Sequence, residues 1–176
     1  MELNRKFVRN ILLFVAISFF VLSVSWMVLP YNRASILWKK GYQEKAISIW
    51  KNQISKKNDA ESYQRLIEVL INSGRYEEAE KFNQIALSNY PDCANFLFYE
   101  AMVNFYKGNF EKSFHYTEKV ISCNEYFPEV YLLRGLILEK TSNYQEAKKE
   151  FIKEINNNPG NRLAWAKLQE SKYANY

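Results

Sequence analysis

The hexapeptide GRYEEA at residues 74–79 is answered by GNFEKS at 108–113 and SNYQEA at 142–147, each copy 34 residues after the one before. A further copy, GYQEKA at 41–46, precedes the first by 33 residues. Each opens on a turn former, continues through an aromatic and polar or acidic residues, and closes on a small residue: Ala46, Ala79, Ser113 and Ala147. Self-similarity at this period marks an array in which one supersecondary unit is stacked repeatedly. Composition points the same way. With five glycines and four prolines in 176 residues, long helices are favoured over the many tight turns of a β-sandwich. A chain that is 48% hydrophobic and 24% charged is expected to fold.

On these residues the chain resembles the tetratricopeptide-repeat family, whose 34-residue unit is a pair of antiparallel helices with small residues where the backbones meet. The resemblance implies units at 60–93, 94–127 and 128–161, preceded by a degenerate first repeat and basic juxtamembrane segment at 30–59 and followed by a capping helix at 162–176. The fourth position of the three units holds Tyr63, Leu97 and Tyr131, and the eighth holds Ile67, Ala101 and Gly135. Pro91 and Pro159 stop second helices, because proline lacks an N–H and clashes with the preceding turn. Ala79, Ala101, Gly135 and Ala147 are expected at helix crossings. Asn83, Asn104, Thr117 and Glu125 depart from the repeat pattern, three of them in the middle unit. The expected fold class is all-α: a helical-hairpin solenoid of three clear repeats, one degenerate repeat and a cap, behind one N-terminal transmembrane helix.

That last element rests on residues 11–29, which carry no charge. A helix of this length spans roughly 28 Å, close to the bilayer core of about 30 Å. Pro30 ends the run, and Trp26 and Tyr31 stand where interfacial aromatics are favoured. A cleaved signal peptide is the competing reading, since a basic start, an apolar stretch and the triplet Ser23-Val24-Ser25 imitate a cleavage site. Against it, Trp26 would follow the cut and the apolar run continues beyond it. Arg5, Lys6 and Arg9 lie in the basic tail at 1–10 before the helix, and Arg33, Lys39, Lys40 and Lys45 follow it, so the positive-inside count nearly balances. The tight leading cluster favours a cytoplasmic N-terminus, with the repeats outside the cytoplasm.

The formal charge of +5 is unevenly placed. Residues 30–59 hold seven Lys or Arg against Glu44 and Asp59, whereas residues 60–176 hold 14 basic and 16 acidic side chains. Positive charge beside an apolar segment suits a membrane surface better than a phosphate backbone, so nucleic acid is not expected as a partner. The basic stretch is either a solvated face or a contact for lipid headgroups.

One histidine and two cysteines are a thin supply for catalysis, and no HExxH, CxxC, phosphate loop or Walker lysine occurs. The expectation is a protein that is not an enzyme and holds neither cofactor nor metal. His115 falls on the solvent side of a second helix. The family resemblance instead implies a concave groove lined by first helices. Its residues here would be Glu61, Gln64, Glu68, Asn95, Phe98, Met102, Phe105, Tyr106, Leu132 and Leu136, an apolar and aromatic centre with acidic flanks. Such a groove suits an extended or helical peptide with bulky apolar anchors and basic residues; the alternative is that Phe98, Met102 and Phe105 are core. Cys93 and Cys123 lie 15 residues to either side of Gly108, hence at one end of a helical hairpin. A disulfide between them is allowed if both side chains enter the gap; two unrelated thiols are the other reading.

Two functions follow. One is a membrane-anchored protein–protein interaction module, an adaptor or assembly factor that holds a partner protein near the bilayer, with residues 11–29 as the lipid contact. The other is a structural subunit of a larger membrane complex, its groove permanently occupied. Oligomeric state and the partner's identity are not encoded in any residue pattern.

Overall fold

A computed structural model describes residues 5–28 and 30–170, which form ten α-helices and, among the described residues, no strand. The chain divides into two compact units, residues 1–62 and 63–176.

In the first unit, α1 (Arg5–Val28) is followed by α2 (Pro30–Lys39) and α3 (Gln43–Lys57). Residues 11–28 of the expected span lie in a longer helix that already includes Arg5, Lys6 and Arg9, because lysine and arginine are good helix formers and do not stop a turn from propagating. Leu29, the last residue of the expected span, lies outside the described residues, as do the side chains of Trp26 and Tyr31. From Phe7 to Val24 the mean hydropathy is 2.3 and no part of the window is buried, so α1 is long and apolar enough to cross a membrane. A signal sequence meets the same test. Pro30 occupies the first position of α2, where its missing N–H has no helical partner to lose. The α2–α3 hairpin turns on Gly41, at φ +84°, with Tyr42 N–H donating to Leu37 O at 2.9 Å. Inside it Ala46, Ile47 and Trp50 are buried, and Trp38 meets Trp50 at 6.4 Å between ring centres. Asp59 accepts from Ser62 N–H at 2.8 Å and so caps the start of α4 (Ala60–Asn72).

In the second unit, the remainder of α4 leads into α5 (Tyr76–Asn89), α6 (Ala94–Tyr106), α7 (Phe110–Cys123), α8 (Val130–Lys140), α9 (Tyr144–Asn157) and α10 (Arg162–Gln169). Gly74 and Gly108 turn at φ +71° and +81°, and Ser142 adopts +65° at the matching place in the third copy. The small residues sit where backbones meet: Ala79, Ala101, Ser113 and Ala147 are fully buried, and Ser113 Oγ donates to Ala101 O at 2.7 Å. Gly135 faces the ring of Phe151, whose Cδ1 would stand 2.6 Å from an added Cβ. The expected cap at 162–176 is helical from Arg162 to Gln169, with Asn161 Oδ1 accepting from Leu163 and Ala164 N–H; residues 171–176 lie outside the described residues.

Two of the departures from the repeat pattern, Asn83 and Asn104, meet at one buried carboxylate. Glu100, 1% exposed, stands in α6 at the place that the buried Leu66 takes in α4. Asn83 Nδ2 donates to Glu100 Oε2 at 2.9 Å and to Phe96 O at 3.0 Å. Asn104 Nδ2 donates to Glu100 O at 2.8 Å, and Lys112 Nζ lies 3.5 Å from Glu100 Oε1. A buried carboxylate needs such donors, so the two asparagines accompany it. Glu154 plays a similar part in α9. Its carboxylate accepts from Leu132 N–H in the first turn of α8 and from Asn161 Nδ2, joining α8, α9 and the cap of α10.

Candidate functional site

The first helices of the second unit, α4, α6 and α8, line two adjoining clefts. One, of about 390 Å³, is bounded by Glu68, Ile71 and Asn72 of α4, by Asn95, Phe98, Tyr99 and Met102 of α6, and by Phe127, Pro128 and Glu129 from the connection into α8. The other, of about 250 Å³, continues from Phe98 and Met102 to Phe105, Tyr106, Leu132, Leu133 and Leu136, ending at Asn161 and Leu163. Phe98, Met102 and Glu129 border both, so the two clefts are stretches of one groove.

Helical spacing explains which side chains reach it. Phe98, Met102 and Phe105 recur at intervals of four and three along α6, as Leu132 and Leu136 do along α8, which puts each set on one face. Phe98 is only 8% exposed and packs on Phe127 with ring centres 5.0 Å apart, so it belongs to the core as well as to the groove wall. Met102, Phe105 and Leu136 are half-buried and present apolar surface. Tyr106 is exposed and stacked on Tyr76 at 5.0 Å.

The polar groups of the groove are carboxylates, amides and protonated phenols. Burial, with Glu68 nearby, pushes the Tyr99 phenol up to about 12. Tyr106 is raised by burial, then by Tyr76 and Glu129. Both phenols therefore keep their proton at neutral pH and can donate. Glu68 lies 3.6 Å from Arg65 in an exposed pair, while Glu129 is exposed in the left-handed region at φ +64°.

Of the residues expected in the groove, Glu68, Asn95, Phe98, Met102, Phe105, Tyr106, Leu132 and Leu136 border the clefts. Gln64 does not; its Nε2 approaches Cys93 Sγ at 4.0 Å. Glu61 is exposed and belongs to the first unit. Reasoning from the repeat register missed Phe127 and Pro128, which lie between helices where no helical period applies. Leu163 could have been found, since it takes the second position of a further unit begun at Arg162. Cys93, at the N-cap of α6, is partly buried and Cys123, the last residue of α7, is exposed; both are free thiols. His115 is exposed and 3.8 Å from Glu118, and among the described residues no three His, Cys, Asp or Glu side chains converge as metal ligands would.

Residues 128–161, which hold α8 and α9, match the family model for the tetratricopeptide repeat. No curated protein matches the chain. Among solved structures it is similar to MamA, with a TM-score of 0.66 at 17% identity over 77% of this chain and 80% of that one. It is also similar to YrrB, described as a TPR protein with an unusual peptide-binding site (TM-score 0.65, 15% identity, 78% and 71% covered). A tetratricopeptide repeat protein from Parabacteroides merdae gives a TM-score of 0.64 at 23% identity, covering 84% of this chain and 60% of that one. The all-helical fold is that of the tetratricopeptide-repeat solenoids, and such a fold suggests a module for protein–protein interaction.

Proposed function

We propose that this chain is a membrane-anchored adaptor or assembly factor whose groove along α4, α6 and α8 holds a segment of a partner protein. The observation that carries the reading is the run of half-buried apolar side chains, Met102, Phe105 and Leu136, left open to solvent between two protonated phenols and Glu129. Apolar surface in a concave site with few polar groups is the usual form of a peptide anchor site. The partner segment carries bulky apolar side chains to fill the clefts and positive charge to face Glu129 and Glu68. The peptide-binding site in YrrB's description belongs to a protein of the same fold and supports the reading. The anchor is α1, retained in the bilayer, with the repeats on the extracytoplasmic side.

A peptide array probed with the purified chain tests the groove. Peptides combining aromatic and basic residues should bind, their acidic counterparts should not, and Met102→Glu with Leu136→Glu should remove binding while the helical circular dichroism signal is kept. Binding that is indifferent to both substitutions would place recognition elsewhere. Resistance of the chain to alkaline carbonate extraction tests the anchor; release into the supernatant would mean that α1 is not held in the bilayer.

A further inference from the structure

Both units expose basic residues that form no ion pair among the described residues, Lys81 and Lys149 in the second among them, and the second also pairs several. In the second, Lys107 pairs with Glu80 at 2.6 Å, Lys153 with Glu150 at 2.8 Å and Lys167 with Glu139 at 3.1 Å. In the first, Arg33, Lys39, Lys40, Lys56 and Lys57 are exposed, and none forms an ion pair among the described residues. The two acids of that stretch are engaged elsewhere. Asp59 caps α4, and Glu44 is in the first turn of α3, at the opposite end of that helix from Lys56 and Lys57.

The lengths of the hairpin's arms decide where these charges fall. α2 has 10 residues and α3 has 15, about 15 Å and 22 Å of helix. Both run from the same turn at Lys40–Tyr42, so the last turn of α3 extends beyond the start of α2, on the side where α1 enters. Arg33, Lys56 and Lys57 therefore gather at the end of the hairpin nearest the apolar helix. Lys39 and Lys40 lie at the other end, about 9 Å along α2 from Arg33 and about 20 Å along α3 from Lys56 and Lys57, beyond the Debye length of about 8 Å at physiological salt.

We infer that the α1-proximal end of the α2–α3 hairpin, carrying Arg33, Lys56 and Lys57, is a binding surface for anionic lipid headgroups. The inference rests on α1 being held in the bilayer, which brings that end to headgroup level. Where the leaflet they face carries anionic lipid, unpaired cations there gain from its negative surface potential, and those at the far turn gain little.

The full chain in nanodiscs of phosphatidylcholine, with and without phosphatidylglycerol, is labelled with a water-soluble lysine acylating reagent and read by mass spectrometry. Lys81 and Lys149, exposed in the second unit, are internal references. In anionic discs Lys56 and Lys57 should react about five-fold more slowly, Lys39 and Lys40 should change little, and high salt should abolish the difference. Equal rates for Lys56 and Lys57 in both discs would overturn the inference, and equal slowing of Lys39 and Lys40 would overturn the placement. Protection by added duplex RNA in neutral discs, with none from phosphatidylglycerol, would assign the surface to nucleic acid instead. Retention in neutral discs at high salt reads the anchor separately: a chain lost from neutral discs but held and protected by anionic ones removes the anchor and upholds the headgroup site.

Discussion

Replacing Gly135 by alanine sets two known effects against each other at one atom. Alanine is preferred to glycine inside a helix by about 1 kcal/mol, and Gly135 lies in the interior of α8 with ordinary helical backbone, so on propensity alone the change should stabilise. The added Cβ, however, would touch Cε1 of Phe151 and stand 2.6 Å from its Cδ1 and 2.8 Å from its Cζ. Ordinary carbon contacts begin at about 3.5 Å, so the ring must retreat by the better part of an ångström. Phe151 is fully buried and shares its core with Leu132, Ala147, Ile155 and Ala164, leaving it no free direction. Overpacking of this kind costs about 1–3 kcal/mol, and a rigid ring in a closed core belongs near the upper end. The net expectation is a loss of about 1–2 kcal/mol, or roughly 4–8 °C in the unfolding midpoint for a unit of this size. Far-UV circular dichroism on heating is the assay. In a Phe151→Leu background the clash is relieved, and Gly135→Ala should become neutral or stabilising. A rise in midpoint for Gly135→Ala in the unaltered chain would refute the packing described for α8 and α9.

The serine that stands in for glycine at the third turn makes the opposite case: Ser142 holds φ +65° with a side chain, so Ser142→Gly should raise stability by about 0.5–1 kcal/mol, read as a shift in urea midpoint. Glu100→Leu should cost about 3 kcal/mol, because it strips the side-chain acceptor from Asn83 and leaves Lys112 without its partner; combining it with apolar residues at Asn83 and Asn104 should recover most of the loss. High pH should weaken the fold. The Tyr99 phenol is raised in the folded state to about 12, and Tyr63, Tyr106 and Tyr131 are raised too, so the folded chain holds these protons more tightly than the unfolded one. That stability is complete below a pH of about 10 and is lost as pH rises towards about 12, and Tyr99→Phe should flatten the fall in urea midpoint over that window.

The hairpins were legible because their signal is local. A turn former, an aromatic and a small residue recur at fixed offsets, and the structure puts Ala46, Ala79, Ser113 and Ala147 in full burial at those places. Asn83 and Asn104 read as decay of the pattern because their reason lies elsewhere in sequence, in Glu100, and only the packed helices bring the three together. The groove was legible to the extent that it is made by helix faces. Phe127 and Pro128 enter it from a connection whose path no periodicity describes, and the share of Phe98 between core and groove depends on how closely Phe127 covers it.

The central claim, that the groove is where a membrane-held chain meets its partner, is tested most directly by photocrosslinking in native membranes. A photoreactive residue is placed in turn at Met102 and Leu136 in the groove and at Ile85 and Ile152, exposed on the second helices α5 and α9. The account predicts one protein adduct in the membrane fraction, formed from Met102 and Leu136 and lost when the other groove position is changed to glutamate. Adducts arising from Ile85 or Ile152 while the groove positions give none would contradict it.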